Sequence, residues 1–419
     1  MKVAFINSSF QEDIPKNTRN IMMAEAIHAN GVDGIFYTPV RKKGVTTVRR
    51  EGKDQIVSIF ISCWIPLFSK YKKIFENKSI AFRRIIDLME FLVYIMRIRH
   101  RLRCDHVDAY VVLHLWDSTL ALLSPLLSEL RPVAVLWMGH SLRWLARFKG
   151  QYALILIAYK LALRRSNILI NDDPEQRYGV FKILKKRKEN VYIFNPCIVD
   201  ERIFRPMDKY ECAKRVGFDI NRINILNMSR IPSLQIIDRN KDWGYGKNVF
   251  SIVEAFRWVA KENPKVHLHI VGDGSGTREI RLRIDLYNLQ DIVTLHGWIP
   301  PTNDEYDFRP FFINAADLII NPGRLIEFNI EQALFEAFMC DKPAVAFKRY
   351  SWVPTEHLGG FLVNKDPEIA AEQILSRLNP DYLKDKSKEA KTVPLKHSVP
   401  MKLWGIKLSE ILTRMLRGK

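Results

Sequence analysis

Short apolar runs alternate along the first half of the chain with longer stretches that have helical periodicity. The runs at 107–113 and 133–138 are nearly continuous in apolar residues, as expected of strands buried on both faces. Residues 18–30 instead place their apolar side chains on one face of a helix. Strands that alternate with helices in this way predict βαβ units and a parallel sheet.

The alternation starts again after Arg205-Pro206. Further strands are predicted at 223–228, 265–271, 293–296, 318–321 and 344–347, and helices at 248–262, 277–289 and 330–340. The predicted fold class is therefore α/β, with two doubly wound Rossmann-like domains that face a cleft. We expect an N-terminal domain at 1–203, a C-terminal domain at 204–396 and a helical segment at 397–419. Ligands of such sheets bind at the carboxyl ends of the strands.

Composition excludes several classes of protein. The 419 residues are 47% apolar and 26% charged, which is typical of a globular chain and not of a disordered or fibrous one. Apolar runs are shorter than the ~20 residues of a membrane span. Met1 leads directly into a strand-like run, so we expect a cytoplasmic protein without a signal peptide. Five scattered cysteines predict neither a zinc site nor a disulfide framework.

The net charge of +19 is concentrated in one region. Residues 41–103 hold 16 Lys/Arg and 5 Asp/Glu, a surplus of +11, with aromatic residues interleaved. Apolar bulk beside basic charge favours an anionic membrane surface over nucleic acid, for which no binding motif is present. An amphipathic core helix with a solvated basic face explains the same pattern, and periodicity does not separate the two interpretations.

Candidate functional residues follow the strands of the second half. Arg230 ends one strand, Lys247 opens the next helix, and Gly272 and Gly274 follow a third strand. Cations, glycine backbone and helix N-termini together are typical of sites that bind phosphate groups. Further along the chain come Trp298, Ile299, Glu327, Asn329, Ile330, Glu331 and Glu336.

These motifs, in this order, resemble family 4 of the GT-B retaining glycosyltransferases. The resemblance runs from about 195 to 378 and is strongest over 331–343. It implies that Arg230 and Lys247 hold the diphosphate of a nucleoside-diphosphate sugar. It also implies that Glu336 binds the ribose and that His140, after the strand at 133–138, faces the donor sugar and the acceptor.

Other site residues follow from the same resemblance. Backbone at Trp298 or Ile299 corresponds to the place where the family holds the base. The helix N-terminus around Asn329, Ile330 and Glu331 adds backbone N–H donors for the phosphates.

The chain departs from the family pattern at two places. Phe328 stands eight residues before Glu336, where the family has its first glutamate, so Glu327 is the nearest substitute and Glu331 is another. Asn329 replaces a glycine, and the loop at 7–10 lacks the glycine pair common in the family.

The resemblance implies a retaining transferase that moves a hexose-like sugar to a hydroxyl of a glycan or a lipid-linked acceptor. No Asp-x-Asp motif occurs, so neither a metal nor another cofactor is expected. The basic region would attach the protein to the inner face of the cell membrane, and the helix at 397–419 would pack back on the first domain. The alternative is an inactive GT-B protein that acts as a sugar-nucleotide sensor or an assembly partner in polysaccharide synthesis.

Overall fold

The chain divides into two compact units. One unit comprises Met1–Pro196 together with Met401–Lys419, and the other comprises Cys197–Pro400. The divisions lie a few residues away from the predicted boundaries at 203 and 396. The computed structural model describes residues 1–6, 18–40, 47–51, 56–62, 93–94, 96–102, 104–112, 133–136, 167–170, 191–239, 247–302, 306–322, 330–348, 355–357 and 359–417.

The first unit contains an eight-stranded sheet of order β3-β4-β2-β1-β5-β6-β7-β8, in which only β3 is antiparallel to its neighbour. Its strands are β1 Lys2–Ile6, β2 Asp33–Val40, β3 Thr47–Glu51, β4 Ile56–Ser62, β5 Ala109–Val112, β6 Val133–Leu136, β7 Asn167–Ile170 and β8 Val191–Ile193. Strands β2 to β4 lie on one side of β1 in the sheet, and β5 to β8 lie on the other side. This reversal of strand order confirms the predicted doubly wound α/β class.

The described residues of the basic region form strands in one part and, at its end, a helix with Tyr94 and Ile98 buried and Arg97 exposed, as the helical alternative expects. Thr47–Glu51 and Ile56–Ser62 form an antiparallel pair of strands at one edge of the sheet. A core helix is therefore wrong for these residues. Residues 93–94 and 96–102, at the end of the region, are helical. The rest of 41–103 lies outside the described residues, and no helix within the described part of the chain is long and apolar enough to cross a bilayer.

The second unit contains a seven-stranded sheet of order β11-β10-β9-β12-β13-β15-β14, with β14 antiparallel to β15. Its strands are β9 Ile223–Met228, β10 Val266–Val271, β11 Val293–Gly297, β12 Leu318–Asn321, β13 Ala344–Phe347, β14 Glu356–His357 and β15 Gly360–Val363. The chain runs from β9 outward through β10 and β11, then restarts at β12 beside β9. Strand order therefore reverses between β9 and β12.

Helices cover both faces of the second sheet, and an apolar cluster fills the space beneath them on each face. One cluster includes Phe256 and Ile270, and the other includes Leu226 and Phe335. Within the described residues, the helices include α1 Thr18–His28, α2 Lys209–Val216, α3 Leu234–Arg239, α4 Val249–Glu262, α5 Thr277–Leu286, α6 Arg309–Ala315, α7 Gln332–Met339, α8 Pro367–Leu375, α9 Pro380–Ala390, α10 Val393–Lys396 and α11 Met401–Arg417.

The last helix, α11, belongs to the first unit although it follows the second unit in sequence. The indole Nε1 of Trp404 donates a hydrogen bond to the Asn195 carbonyl at 3.0 Å, and the ring is fully buried. Gly405 lies so close to the Ala26 carbonyl in α1 that a Cβ at this position would overlap with it. The buried indole thus holds α11 in the first unit, and the glycine that follows it lets α11 pack closely against α1.

Candidate functional site

Predicted site residues of the second unit gather at the carboxyl edge of its sheet, where strand order reverses between β9 and β12. Ligands of open α/β sheets bind at such a reversal. The side chain of Asn227, which is fully buried in β9, donates to the Ile320 carbonyl of β12 at 2.8 Å. Its Oδ1 accepts a bond from the Ser229 hydroxyl at 2.9 Å. These bonds fix the start of the loop that carries Arg230.

Gly272 and Gly274 pack directly against that loop. A Cβ at Gly272 would overlap with the Ser229 carbonyl oxygen, and one at Gly274 with the Ile231 carbonyl oxygen. The Ile231 N–H donates to the Asp273 carbonyl at 3.1 Å, so the two loops are also hydrogen-bonded. The contact between the two loops therefore explains why both positions are glycine, since a side chain at either one would keep the loops apart. Close approach of a ligand, as predicted from the sequence, is a second explanation.

Arg230 and Trp298 lie on loops after β9 and β11, with the loop after β10 between them. The Arg230 residue is exposed. The Gly272 N–H donates to the Gly297 carbonyl at 2.7 Å, which ties the loop after β10 to the residue before Trp298. Trp298 is 67% exposed, while Ile299 packs partly against the core. An indole this exposed contributes little to folding and is open to a ligand.

Lys247 and Glu331 form an ion pair that joins the starts of two helices. The Lys247 ammonium lies 2.7 Å from Glu331 Oε2, and about a quarter of each side chain is exposed. Lys247 stands two residues before α4, and Glu331 is the residue immediately before α7. Residues 84 positions apart in sequence are thus brought together at this edge.

Helix α7 begins at Gln332, later than the predicted start at Ile330. Glu331 has an extended backbone with φ −70° and ψ 153°, so it stands at the cap position rather than within the helix. A carboxylate at this position interacts favourably with the helix dipole. Ile330 is buried in the core, which leaves Glu331 to point towards Lys247.

Glu336 lies inside the unit, one turn into α7, and only 6% of the residue is exposed. Its Oε1 accepts a bond from Arg309 Nη1 at 3.2 Å and another from Gln332 Nε2 at 3.4 Å. Burial raises the pKa of Glu336, while the positive charge of Arg309 and the Gln332 bond act in the opposite direction. Arg309 is also bound to Asp307, whose side chain is fully buried.

Three histidines lie within the sheet below this edge. His269 Nε2 donates to Asn224 Oδ1 at 3.0 Å, so its Nδ1 accepts from His296 Nε2 at 3.0 Å. His267 stacks on His269 with ring centroids 4.4 Å apart. Burial lowers the pKa of His267 to about 4 and that of His269 to about 2, and it also lowers the pKa of His296. The cluster is therefore neutral at physiological pH.

Three predicted site residues, His140, Glu327 and Asn329, lie outside the described residues. In the part of the chain that is described, no three His, Cys, Asp or Glu side chains are grouped so as to hold a metal ion. Sequence reasoning missed Arg309 and Asp307. An arginine two residues after an aspartate carries no signal by itself, and only the packing of α6 beside α7 shows its relation to Glu336.

Comparison with solved structures identifies the class of fold. Sucrose-phosphate synthase from Thermosynechococcus elongatus superposes with a TM-score of 0.68 over 100% of both chains, at 15% identity. HepE from Anabaena, solved in complex with UDP and glucose, gives a TM-score of 0.65 over 99% of both chains, also at 15% identity. These neighbours are GT-B glycosyltransferases, and this chain has the GT-B fold.

Sequence comparison matches part of the second unit to a known family. Residues 241–379 match the family of glycosyl transferases group 1. An alpha-monoglucosyldiacylglycerol synthase from Streptococcus pneumoniae is 29% identical over 108 residues, which is 25% of this chain and 22% of that protein. The match thus spans about a fifth of the curated relative's length. The predicted resemblance to GT-B glycosyltransferases of group 1 is confirmed, and the narrower resemblance to family 4 stays a prediction.

Proposed function

We propose that the protein is a retaining glycosyltransferase that moves a sugar from a nucleoside-diphosphate sugar to a hydroxyl of a glycan or a lipid-linked acceptor. The observation that carries this proposal is the contact between Lys247 and Glu331. It brings a cation to the start of the helix that holds Glu336. A cation beside a helix N-terminus is a favourable environment for a phosphate group.

The donor is assigned to the carboxyl edge of the second sheet. Arg230 and Lys247 bind its diphosphate, backbone at Trp298 and Ile299 contacts the base, and Glu336 accepts hydrogen bonds from the ribose. Solved neighbours that hold UDP or UDP-glucose support a nucleotide-sugar donor. The second phosphate gains negative charge as the sugar departs, and fixed cations stabilise that charge where it develops.

The reaction needs only groups of the chain and the donor itself. Retention follows from attack on the same face that the diphosphate leaves, with the leaving phosphate accepting the proton of the acceptor hydroxyl. His140 contacts the donor sugar and the acceptor, and Glu327 replaces the first glutamate of the family pattern. The cations Arg230 and Lys247 take the part that a divalent metal plays in other transferases.

The acceptor is assigned to the first unit and to a membrane surface. The surplus of +11 charges in 41–103 suits anionic lipid headgroups. The curated relative is by its name a synthase of a glycolipid, which supports a lipid-linked acceptor. In this proposal the protein is cytoplasmic and binds the inner face of the cell membrane as a peripheral protein.

A ligand screen tests the proposal. We expect one of UDP-, GDP-, ADP- or dTDP-glucose to raise the melting temperature of the protein, because a ligand that binds only the folded state stabilises it by mass action. Transfer of the labelled sugar to membrane lipid extract or to glycan then tests turnover. Binding without transfer or donor hydrolysis would favour the non-catalytic alternative, and no binding by any of the four would overturn the donor site.

A further inference from the structure

Arg309 is held in place by Asp307 before it reaches Glu336. Its Nε lies 3.0 Å from Asp307 Oδ1, and its Nη2 lies 2.7 Å from Asp307 Oδ2, so the pair is bidentate. The guanidinium also lies over the ring of Phe204, with 5.0 Å between Cζ and the ring centroid. The ion pair and the ring contact together fix the plane of the guanidinium. The remaining nitrogen, Nη1, therefore has a defined direction, and it points at Glu336 Oε1.

The second donor to Glu336 is held in the same manner. Gln332 Nε2 donates to the Ile198 carbonyl at 2.8 Å and reaches Glu336 Oε1 at 3.4 Å. Arg309 and Gln332 are thus each anchored to a group outside α7, and both meet the same carboxylate oxygen. Among the described residues, every hydrogen bond accepted by Glu336 goes to Oε1. Oε2 is the oxygen that this arrangement leaves for a ligand.

One guanidinium serves two buried carboxylates in this cluster. The side chains of Asp307, Arg309 and Glu336 are 0%, 13% and 8% exposed. Asp307 forms the bidentate ion pair with Arg309, whereas Glu336 accepts a single hydrogen bond from it. The negative charge of Glu336 is therefore only partly compensated. A carboxylate in this state is a strong acceptor for hydroxyl groups.

We propose that Arg309 is a positioning residue for nucleotide recognition: by holding Oε1 of Glu336 it aims Oε2 at the ribose hydroxyls. This inference rests on the proposed donor site and assigns to it two residues, Arg309 and Asp307, that do not themselves touch the nucleotide. Apolar residues can often replace a buried cluster of charged residues without loss of stability, so the presence of this cluster needs another explanation. The positioning of Glu336 supplies one.

The test compares ribose with deoxyribose diphosphates. Calorimetric titration gives Kd for UDP and for 2′-deoxy-UDP, or for the corresponding pair of whichever of UDP, GDP and ADP binds. The wild-type protein is expected to prefer the ribonucleotide about tenfold or more, the size of one hydrogen bond to a charged group. Arg309→Gln is expected to reduce that preference to about twofold or less, with the Kd of the deoxyribonucleotide changed much less.

Arg202 supplies a matched control. It forms the same bidentate pair with Asp200, with Nε 2.9 Å from Oδ1 and Nη2 2.6 Å from Oδ2. Arg202→Gln therefore removes an equivalent pair from the same unit and should leave the preference for ribose unchanged. Gln332→Met removes the second donor to Oε1 and should reduce the preference in part, which provides a result if Arg309→Gln does not fold.

The outcomes separate the inference from the proposed function. If the wild-type protein binds none of UDP, GDP, ADP and dTDP, the donor site itself is wrong. If it binds only dTDP, which has no ribose 2′-hydroxyl, the donor site stands and the positioning role of Arg309 is wrong. If it binds but does not prefer ribose, or if Arg309→Gln and Gln332→Met both retain the preference, the positioning role of Arg309 is wrong while the donor site stands.

Discussion

At the scale of single residues, the pairing of Lys247 with Glu331 means that the cation is already occupied when no donor is bound. The ammonium and carboxylate are 2.7 Å apart and both are partly exposed. Such a pair is worth roughly 1 kcal/mol or less, because water screens it. A diphosphate carries more negative charge than one carboxylate, so it can displace Glu331 at small cost.

The ammonium of Lys247 is expected to be needed for turnover. Lys247→Ala should lower kcat by about 100-fold to 1000-fold, the usual cost of removing one group that stabilises charge in the transition state. The melting temperature should change little, since the pair is weak. Initial rates of sugar transfer give the measurement, and Lys265→Ala, at an exposed position, is the control. Full activity of the Lys247 variant would remove this residue from the site.

The carboxylate of Glu331 is expected to compete with the donor. Glu331→Gln keeps the size of the side chain and removes its charge, so the nucleoside diphosphate should bind about twofold to fivefold more tightly. Titration calorimetry with the diphosphate that binds measures this change. Weaker binding would instead show that Glu331 contacts the donor directly, as one of the two substitutes for the missing family glutamate.

At the scale of elements, the loops after β9 and β10 behave as one structure. The glycines at 272 and 274 remove the side chains that would separate them. Arg230 is positioned by this contact, because it lies within the 229–232 segment. Loops that rest on each other in this way need less ordering when a ligand arrives.

A methyl group between the loops is expected to impair both stability and activity. In Gly274→Ala the new Cβ would overlap with the Ile231 carbonyl, so the loops must separate. Overpacking of this kind costs about 1–3 kcal/mol. Urea unfolding measures the loss, and transfer assays should show a further loss from the displaced Arg230. Gly217→Ala is the control for a loss of stability alone: its Cβ meets no atom within 4 Å, but φ is +75° there, so alanine is strained. It should lower stability without the further loss of transfer activity, and an equal loss of transfer in the two variants would argue against the loop contact.

Elements of the second sheet could be predicted where a short run is mostly apolar. Ile223–Met228, Leu318–Asn321 and Ala344–Phe347 have the predicted bounds. The strands Thr47–Glu51 and Ile56–Ser62 were missed. Thr47–Glu51 is an edge strand, which pairs on one side only, so its sequence is less constrained and holds several charged residues. Ile56–Ser62 is mostly apolar, but it lies within a region whose basic and aromatic residues dominated the interpretation.

The candidate site was predictable in part, and the limit has a physical reason. Residues at strand and helix ends, such as Arg230 and Lys247, are recognisable because parallel strands bring their carboxyl ends to one edge. The contacts of Glu336 with Arg309 and of Lys247 with Glu331 depend on side-chain packing between distant segments. No local pattern of residue types records that packing.

At the scale of the whole molecule, acid is expected to destabilise the second unit through its buried histidines. The pKa of His267 falls from 6.5 to about 4 on folding, so the unfolded chain binds more protons between these values. The contribution of His267 to the free energy of unfolding is therefore fully present above about pH 6.5 and is lost as the pH falls towards 4. His269 acts in the same direction over a wider range, since its pKa is about 2.

Calorimetry at several pH values tests this dependence. Each buried histidine should remove up to about 1.4 kcal/mol of unfolding free energy per pH unit below about pH 6.5. His267→Gln should reduce the slope of the unfolding free energy against pH by the contribution of one histidine. His100→Gln, at an exposed position in the first unit, should leave it unchanged. An equal slope in the wild-type protein and the His267 variant would show that this imidazole does not titrate on unfolding.

The position of α11 also has a consequence for how the protein is made. A ribosome synthesises all of Met1–Pro196 before it begins the second unit, and it adds Trp404 only after Cys197–Pro400 has been synthesised. Until then α1 lacks the helix that covers it, and the pocket for the indole stays open to water. Nascent chains in this interval expose apolar surface, so chaperones that bind such surface should associate with ribosomes translating the middle of the message and depart once α11 has emerged.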